Sequence, residues 1–362
     1  MVFDARSFAD HEQVTYLHDE ETGLRGIVAV HDTTLGPSLG GTRMRTYENQ
    51  QVAGEDVTPE TAALDDVLRL SEAMTYKAAA ADLDLGGGKA VLVGDPKTKD
   101  EALMRAYGRA VDRLGGQYIT SVDVNTSVDD MDVISSETEY VTGTSAGLGD
   151  PSPITAHGVL HGMRACVEHV TGRDTLSDIH VAVQGLGKVG SRLTEELLER
   201  GATVTVTDVN DGKVEAIVED SDATGVAPDD IYDVECDVFA PCAFGGALDD
   251  ETIPRLECAI VAGAANNVLA DEDRHAQDLH ERGILYGPDY VLNAGGLITV
   301  EREYFGGTRE EAFHAATEIE ARVHEMIESA EDADVPVLEG ARRYVMDRLE
   351  SEGRTAVSAG VV

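Results

Sequence analysis

Ile179-His180-Val181-Ala182-Val183-Gln184-Gly185-Leu186-Gly187-Lys188-Val189-Gly190 is the stretch on which the fold turns. Its first half is a short apolar run of strand character, and its second half fits the pattern G-x-G-x-x-G. That pattern is weak alone. Directly after a strand and at the start of a helix, here Lys188 to Arg200, it has the context of a dinucleotide-binding turn. The first glycine permits the tight turn, the second lets backbone N–H groups approach a pyrophosphate, and the third allows close helix-on-strand packing. The helix N-terminus adds positive partial charge for the phosphates. A second strand, Thr203 to Thr207, ends at Asp208. A carboxylate about 20 residues past the first glycine can accept from both ribose hydroxyls, and it repels a 2′-phosphate. No arginine follows it closely, so NAD is favoured over NADP. A glycine-rich turn with a surface aspartate is the plainer alternative, against which the strand and helix context argues. Lys188 is read as pointing to solvent.

Working outward, Cys236 to Ala240 and Ala259 to Ala262 are further short apolar runs, and Thr155 to Val170 is helical. Strand and helix alternate, which predicts a doubly wound parallel sheet. Upstream, Gly147-Leu148-Gly149-Asp150-Pro151-Ser152-Pro153 is rich in turn formers and marks a domain break. The first half alternates too. Arg25 to Val30 reads as a strand, Thr58 to Ala73 as a helix leading into Met74-Thr75-Tyr76-Lys77, and Ala90 to Val93 as a strand. Glu101 to Leu114 is an amphipathic helix, and Tyr118 to Val122 is a strand running into Asp123. After Asn293-Ala294-Gly295-Gly296 come one long helical pattern, Arg309 to Ala330, and a last helix, Leu338 to Ser351. The tail from Arg354 to Val362 has no evident role.

Of the 362 residues, 28 are Lys or Arg and 69 are Asp or Glu, a net charge of −41. Such a surface repels nucleic acid and anionic membranes. With 42% hydrophobic residues the chain can still bury proper cores. Concentrated salt would screen this like-charge repulsion, so a halophilic cytoplasm is expected; an ordinary acidic protein is the alternative. No run of about 18 apolar residues is present, and the start has no basic region followed by an apolar run, so a cytoplasmic location is expected. Cys166, Cys236, Cys242 and Cys258 lack ligand spacing, so no metal site and reduced thiols are expected.

Only six lysines occur: Lys77, Lys89, Lys97, Lys99, Lys188 and Lys213. A lysine is ordinarily a solvated surface residue. Lys77 ends a helical stretch, however, and Lys89 follows Gly86-Gly87-Gly88, whose lack of side chains would let the backbone crowd a substrate. An α-carboxylate needs a fixed cation, and carbinolamine or imine chemistry needs an amine with its pKa pulled toward neutrality. Two lysines close together supply both, because like charge and burial each lower a lysine pKa. Asp123, just past a strand end, could exchange a proton with an amino group.

At these residues the chain resembles the leucine/phenylalanine/valine branch of the amino acid dehydrogenases related to glutamate dehydrogenase. The matching motifs are Thr34 to Met44 (TLGPSLGGTRM), Met74 to Lys77, Leu85 to Lys89, Asp123 with Val128 to Asp132, the glycine loop, Ala262 to Asn267 and Asn293 to Gly296. The resemblance implies an N-terminal α/β substrate and assembly domain, 1–150. It also implies a Rossmann-type NAD-binding domain, 151–334, a cleft between them, and a C-terminal helix, about 335–362, that returns to the first domain.

It further implies that Lys89 is the catalytic lysine and Asp123 its proton partner. Lys77 would hold the substrate carboxylate, helped by the Gly41 backbone and Asn267. Thr155 and Asn266 would lie near the nicotinamide, and Ala240 and Cys242 at the nucleotide edge, with Gly185, Leu186, Gly187, Lys188, Val189, Gly190, Asp208 and Asn293 completing the NAD site. Leu39, Met74, Ser121, Thr142, Leu297 and Val300 would form the side-chain pocket. Glutamate-specific relatives place a lysine and a hydroxyl at the positions of Leu39 and Val300. Both are apolar here, and a buried carboxylate without partners costs several kcal/mol, so small aliphatic L-amino acids are the expected substrates, deaminated to 2-oxo acids with release of ammonia. Ser121 and Leu297 depart from the leucine-type pattern and leave aromatic substrates open. A catalytically silent NAD-binding regulatory protein is the remaining alternative. A homo-oligomer is expected.

Overall fold

The structure is a computed structural model that describes residues Val2–Ser358. Its chain divides into two units, each built around its own sheet. Unit 1 comprises Met1–Gly149, Val300–Gly307 and Arg348–Val362, and unit 2 comprises Asp150–Thr299 and Thr308–Asp347.

Unit 1 begins with β1 (Gln13–Asp19), β2 (Leu24–Asp32) and β3 (Ser38–Arg45), then a small hairpin, β4 (Gln51–Val52) and β5 (Glu55–Asp56). There follow α1 (Pro59–Ala80), β6 (Gly86–Val93), α2 (Glu101–Asp112), β7 (Tyr118–Val122) and α3 (Val128–Ser135). The five long strands form one mixed sheet in the order β1-β2-β6-β3-β7. β3 runs parallel to β6 and β7, while β2 pairs antiparallel with β1 and β6.

Side chains alternate between the faces of a strand, so the sheet carries two cores. On one face Ala90, Leu92 and Met44 pack with Met104 and Tyr107 of α2. On the other, Val91, Ile27 and Ala29 pack with Ala63, Val67 and Leu68 of α1. Lys89 is two residues from Val91 and shares the α1-covered face.

β6 starts at Gly86, earlier than the Ala90 expected from apolar content, so Gly86, Gly87 and Gly88 belong to the strand. Their role here is packing. A Cβ on Gly87 would lie 2.1 Å from Thr75 Oγ1 and 2.3 Å from Thr75 N, so only glycine lets α1 lie this close to β6.

Unit 2 opens with α4 (Ser152–Thr171), β8 (His180–Gln184), α5 (Lys188–Glu199), β9 (Thr203–Thr207), α6 (Asp211–Asp220) and β10 (Thr224–Gly225). It continues through β11 (Val238–Pro241), β12 (Ile260–Val261), α7 (Glu272–Glu281), β13 (Leu285–Tyr286), α8 (Asp289–Leu292) and α9 (Gly295–Tyr304). α10 (Arg309–Thr317), α11 (Ile319–Ala333) and α12 (Val337–Ser358) end the described chain. The six strands are all parallel, in the order β10-β9-β8-β11-β12-β13. Numbered from the first strand of the unit this is 3-2-1-4-5-6, the doubly wound order with its switch point beside β8. Phe239, Val261, Leu248, Leu279 and Tyr286 lie in its core.

Three expectations need correction. The pattern from Arg309 to Ala330 is two helices, α10 and α11, which meet at Glu318. Residues 300–307 group with unit 1 although 151–334 was expected to be one domain. Residues 335–347 of the last helix group with unit 2, and only the part from Arg348 groups with unit 1. The crossings at 299/300 and 347/348 fall inside helices, α9 and α12, where no turn former marks them, whereas the return at 307/308 follows Gly306 and Gly307. Among the described residues no helix is long and apolar enough to cross a membrane.

The Gly87 contact makes a prediction. Gly87→Ala should destabilise unit 1 by about 3 kcal/mol or more, because the obstacle is helix backbone as well as side chain. Denaturant unfolding monitored by circular dichroism reads this directly.

Candidate active site

The face of the unit 1 sheet covered by α1 gathers residues from three adjacent parallel strands. Leu39, Gly41 and Arg43 alternate along β3, Gly87 and Lys89 along β6, and Ile119 and Ser121 along β7. In register, Leu39 lies opposite both Gly87 and Ile119, and Gly41 lies opposite Ser121. The period-2 alternation thus brings four expected site residues, Leu39, Gly41, Lys89 and Ser121, to one patch.

Asp123 follows β7 at the edge of that patch. Its turn is tied down by Thr126, whose hydroxyl accepts from the Asp123 N–H (2.9 Å) and donates to the Thr42 carbonyl (2.8 Å). Asn125 adopts φ 62° and donates to the Met44 carbonyl (2.9 Å). Gly41 makes room for the acid, since a Cβ at 41 would stand 2.6 Å from Asp123 Cβ.

Lys89 Nζ lies 3.1 Å from Asp123 Oδ2, with the lysine residue only 6% exposed. The same oxygen accepts from Arg43 Nε at 3.0 Å. Burial pushes the Lys89 ammonium below its ordinary range, Asp123 pulls it up, and Arg43 pushes it down again; the net direction is down. Burial pushes the Asp123 carboxyl up, but Lys89 and Arg43 together hold it below the usual carboxylate range. The pair is therefore a carboxylate beside an amine that gives up its proton more readily than a free lysine does.

Lys77 lies in the last turn of α1 and is half-buried. The second cation on the Asp123 carboxylate is Arg43. Arg43 lies inside the Thr34 to Met44 motif with no role expected for it there, and neither was one expected for Asp66, which binds the guanidinium. An odd-numbered position on a strand shared with Leu39 and Gly41 was the available signal.

Of the expected pocket residues, Thr142 is fully buried and donates to the Val300 carbonyl (3.3 Å). Glu303, three residues beyond, accepts the N–H groups of Gly143 (2.7 Å), Thr144 (3.3 Å) and Leu148 (3.1 Å), and so clasps the 143–148 loop. Met74 sits on α1 and is half-buried. Leu297 belongs to unit 2, as does Asn267, which has φ 51°.

In unit 2 the glycine loop bridges β8 and α5. Gly185 has φ +103° and donates to the Thr207 carbonyl (2.8 Å). A Cβ on Gly190 would lie 2.0 Å from the Gly185 carbonyl oxygen, so the third glycine answers a packing demand. Gly187 answers none: its φ is −73° and a Cβ there would meet no protein atom within 4 Å. No side chain caps α5, so its first N–H groups face outward from an uncapped terminus.

Asp208, 9% exposed, accepts the Leu186 N–H (2.7 Å) and the Asn210 N–H (2.9 Å), with Lys213 Nζ at 3.4 Å. Burial opposes the charge, and these bonds hold the carboxyl below its usual range. Lys188 is exposed and pairs with Asp150 (3.1 Å), in keeping with a solvent-facing side chain. Val189 follows it inside α5. Asn293 Nδ2 donates to Asn266 Oδ1 (2.8 Å), which joins two expected cofactor-binding residues. Thr155 stands beside the same segment, its Cα 2.6 Å from where a Gly295 Cβ would lie. Cys242 packs under the loop, its Cβ 3.1 Å from the Gly190 Cβ position, and burial pushes its thiol up to about 12. Ala240 is buried in β11 beside β8. All four cysteines are free thiols.

A doubly wound sheet with a glycine turn at its switch point, together with a buried lysine–aspartate pair, defines a nucleotide-dependent α/β enzyme. Comparison with known proteins specifies it. Residues 11–140 match the family model described as Glu/Leu/Phe/Val dehydrogenase, dimerisation domain, and residues 206–354 match Glutamate/Leucine/Phenylalanine/Valine dehydrogenase. The chain is 47% identical to leucine dehydrogenase of Bacillus subtilis over 96% of this chain and 93% of that one. It is 44% identical to phenylalanine dehydrogenase of Lysinibacillus sphaericus over 96% and 91%. The crystal structure of L-tryptophan dehydrogenase from Nostoc punctiforme superposes with a TM-score of 0.85 at 44% identity, covering 95% of this chain and 97% of that one. The chain belongs to the Glu/Leu/Phe/Val dehydrogenase family, in its leucine/phenylalanine branch, and is an amino acid dehydrogenase.

The loop clasp carries a prediction. Glu303→Gln should loosen the 143–148 loop, at a cost of about 1–3 kcal/mol for the weakened backbone bonds. Amide hydrogen exchange at Gly143 and Leu148 should quicken while exchange in β6 stays slow.

Proposed function

We propose that this protein catalyses the NAD-dependent, reversible oxidative deamination of small aliphatic L-amino acids to 2-oxo acids. The observation that carries the reading is the buried Lys89 amine, 3.1 Å from the Asp123 carboxylate and lowered in basicity by its surroundings. A lysine so placed gives up its proton more readily than a free one and can act as a general base. The uncapped α5 terminus and the unfilled space around Gly187 suit a pyrophosphate, and Asp208 retains lone pairs for a ribose.

When bound, the nicotinamide nucleotide supplies the hydride acceptor. Lys77 binds the substrate carboxylate together with the Gly41 N–H. Once the Cα–H bond is broken and the substrate is an imine, neutral Lys89 takes a proton from water as the oxygen attacks the imine carbon. Asp123 relays that proton from Lys89 to the amino nitrogen, and the amine so freed takes the hydroxyl proton as the C–N bond of the carbinolamine breaks to give ammonia and the 2-oxo acid. Thr155 and Asn266 border the nicotinamide, and Asn293 belongs to the same cofactor site.

The leucine dehydrogenase relatives support aliphatic specificity, as do the apolar Leu39 and Val300. Phenylalanine and tryptophan dehydrogenases of nearly equal identity make aromatic side chains the second reading. One methylene in an apolar pocket is worth about 1 kcal/mol, so discrimination between leucine and valine should be soft. The match to a dimerisation domain supports a homo-oligomer, and the charge of −41 supports function in concentrated salt.

Lys89→Ala should lower kcat by roughly 10²–10⁴-fold while nucleotide binding, read by calorimetry, persists; equal loss of both would overturn the base role. In molar KCl the wild-type protein should reduce NAD at least roughly tenfold more efficiently than NADP, a preference worth about 1.4 kcal/mol. Leucine and valine should outpace phenylalanine and glutamate in the same absorbance assay.

A further inference from the structure

The charges around Lys89 form a chain that reaches well beyond the reacting pair. Asp123 Oδ2 takes Lys89 Nζ at 3.1 Å and Arg43 Nε at 3.0 Å. The other end of the guanidinium is fixed: Arg43 NH1 donates to Asp66 Oδ2 at 3.0 Å and Oδ1 at 3.3 Å. Asp66 in turn accepts from Tyr47 Oη at 2.8 Å and Arg69 NH2 at 3.0 Å. The Arg43 side chain is 16% exposed and that of Asp66 10%. Arg43 sits on β3, Asp66 and Arg69 on α1, and Tyr47 beyond β3, so a planar fork spans from the helix to the strand-end acid.

We propose that Arg43 is a positioning residue for the deamination site, holding Asp123 in place and setting when Lys89 gives up its proton. The proposal rests on Lys89 being the site's base. If Asp123 had Lys89 as its sole cation, neutralising the amine would strand a buried carboxylate, and such a stranded charge is costly. The pair would then hold its proton tightly. Arg43 cannot be deprotonated in a protein, so Asp123 keeps a cation whether Lys89 is charged or neutral. The positive charge of Arg43 also disfavours a second cation at Lys89. Charged groups bearing on Lys89 are Asp123 past β7, Arg43 on β3 and Asp66 on α1, and Arg69 and Tyr47 act on it through Asp66. α1 also carries Lys77 in its last turn.

The sign follows. Removing Arg43 withdraws a charge that lowers the Lys89 pKa and leaves Asp123, which raises it. The pH at which Lys89 becomes neutral must therefore rise, and the limb of the rate profile that reports it must move the same way.

Arg43→Gln and Arg43→Lys are compared with wild type in two measurements. Trace acetylation by acetic anhydride across pH, with the Lys89 peptide quantified by mass spectrometry, reads the amine without turnover. The pH dependence of kcat with leucine and NAD reads it through the reaction. In R43Q both midpoints should move up by about one unit or more. R43K keeps the charge but loses the fork, so its acetylation midpoint should stay near wild type while kcat falls; this also covers failure of R43Q to fold. An acetylation midpoint unmoved in folded R43Q, or shifted equally upward in R43K, overturns the proposal and leaves Arg43 a structural residue. A midpoint that moves in acetylation but not in kcat upholds the effect of Arg43 on the amine and overturns instead the reading of Lys89 as base.

Discussion

One carboxylate oxygen, Oδ2 of Asp123, accepts from both Lys89 and Arg43. A cation on the covered face of a sheet is expensive to bury alone. Asp123 makes Lys89 tenable there, and Arg43 keeps the acid ionised beside it. The rest of the unit 1 architecture serves this arrangement. β3, β6 and β7 run parallel and in register, so three strands deliver residues to one face. The turn held by Thr126 then returns Asp123 to the edge of that face.

Covering the pair requires α1 to lie very close to β6. That closeness comes from the absence of a side chain at Gly87, against which Thr75 is seated. The glycines of Gly86-Gly87-Gly88 thus act on the chemistry through packing. Gly87 lets a helix exclude water from the lysine, and desolvation is the largest of the influences that lower its basicity. The same residues were expected from sequence to make room for substrate backbone contacts; in the structure their neighbours are the protein itself.

Unit 2 solves a different problem with different means. Its glycine turn is held to the next strand by backbone and by Asp208, which ties Leu186 and Asn210 with its carboxylate. A single buried acid therefore shapes the loop and retains capacity to accept further hydrogen bonds. The three glycines have separable reasons. Gly185 needs its positive φ and Gly190 needs its missing Cβ, whereas Gly187 meets no demand from the protein at all, which is what a residue kept bare for a ligand looks like.

The sequence by itself determined the doubly wound unit, because G-x-G-x-x-G between a strand and a helix is a local pattern, and local patterns need no knowledge of distant contacts. It also singled out Lys89 and Asp123, since a scarce lysine in an apolar, glycine-rich run and an acid at a strand end are visible in one dimension. The tertiary structure alone decided the partners. Arg43 meets Asp66 and Asp123 only after β3 is laid between β6 and β7 under α1, and Glu303 finds the 143–148 loop only across more than a hundred residues of chain. The passages of α9 and α12 from one unit to the other leave no mark in composition, because a helix continues through them unbroken. Hydrogen bonds between residues far apart in sequence carry no periodic signature, so only the assembled fold reveals them.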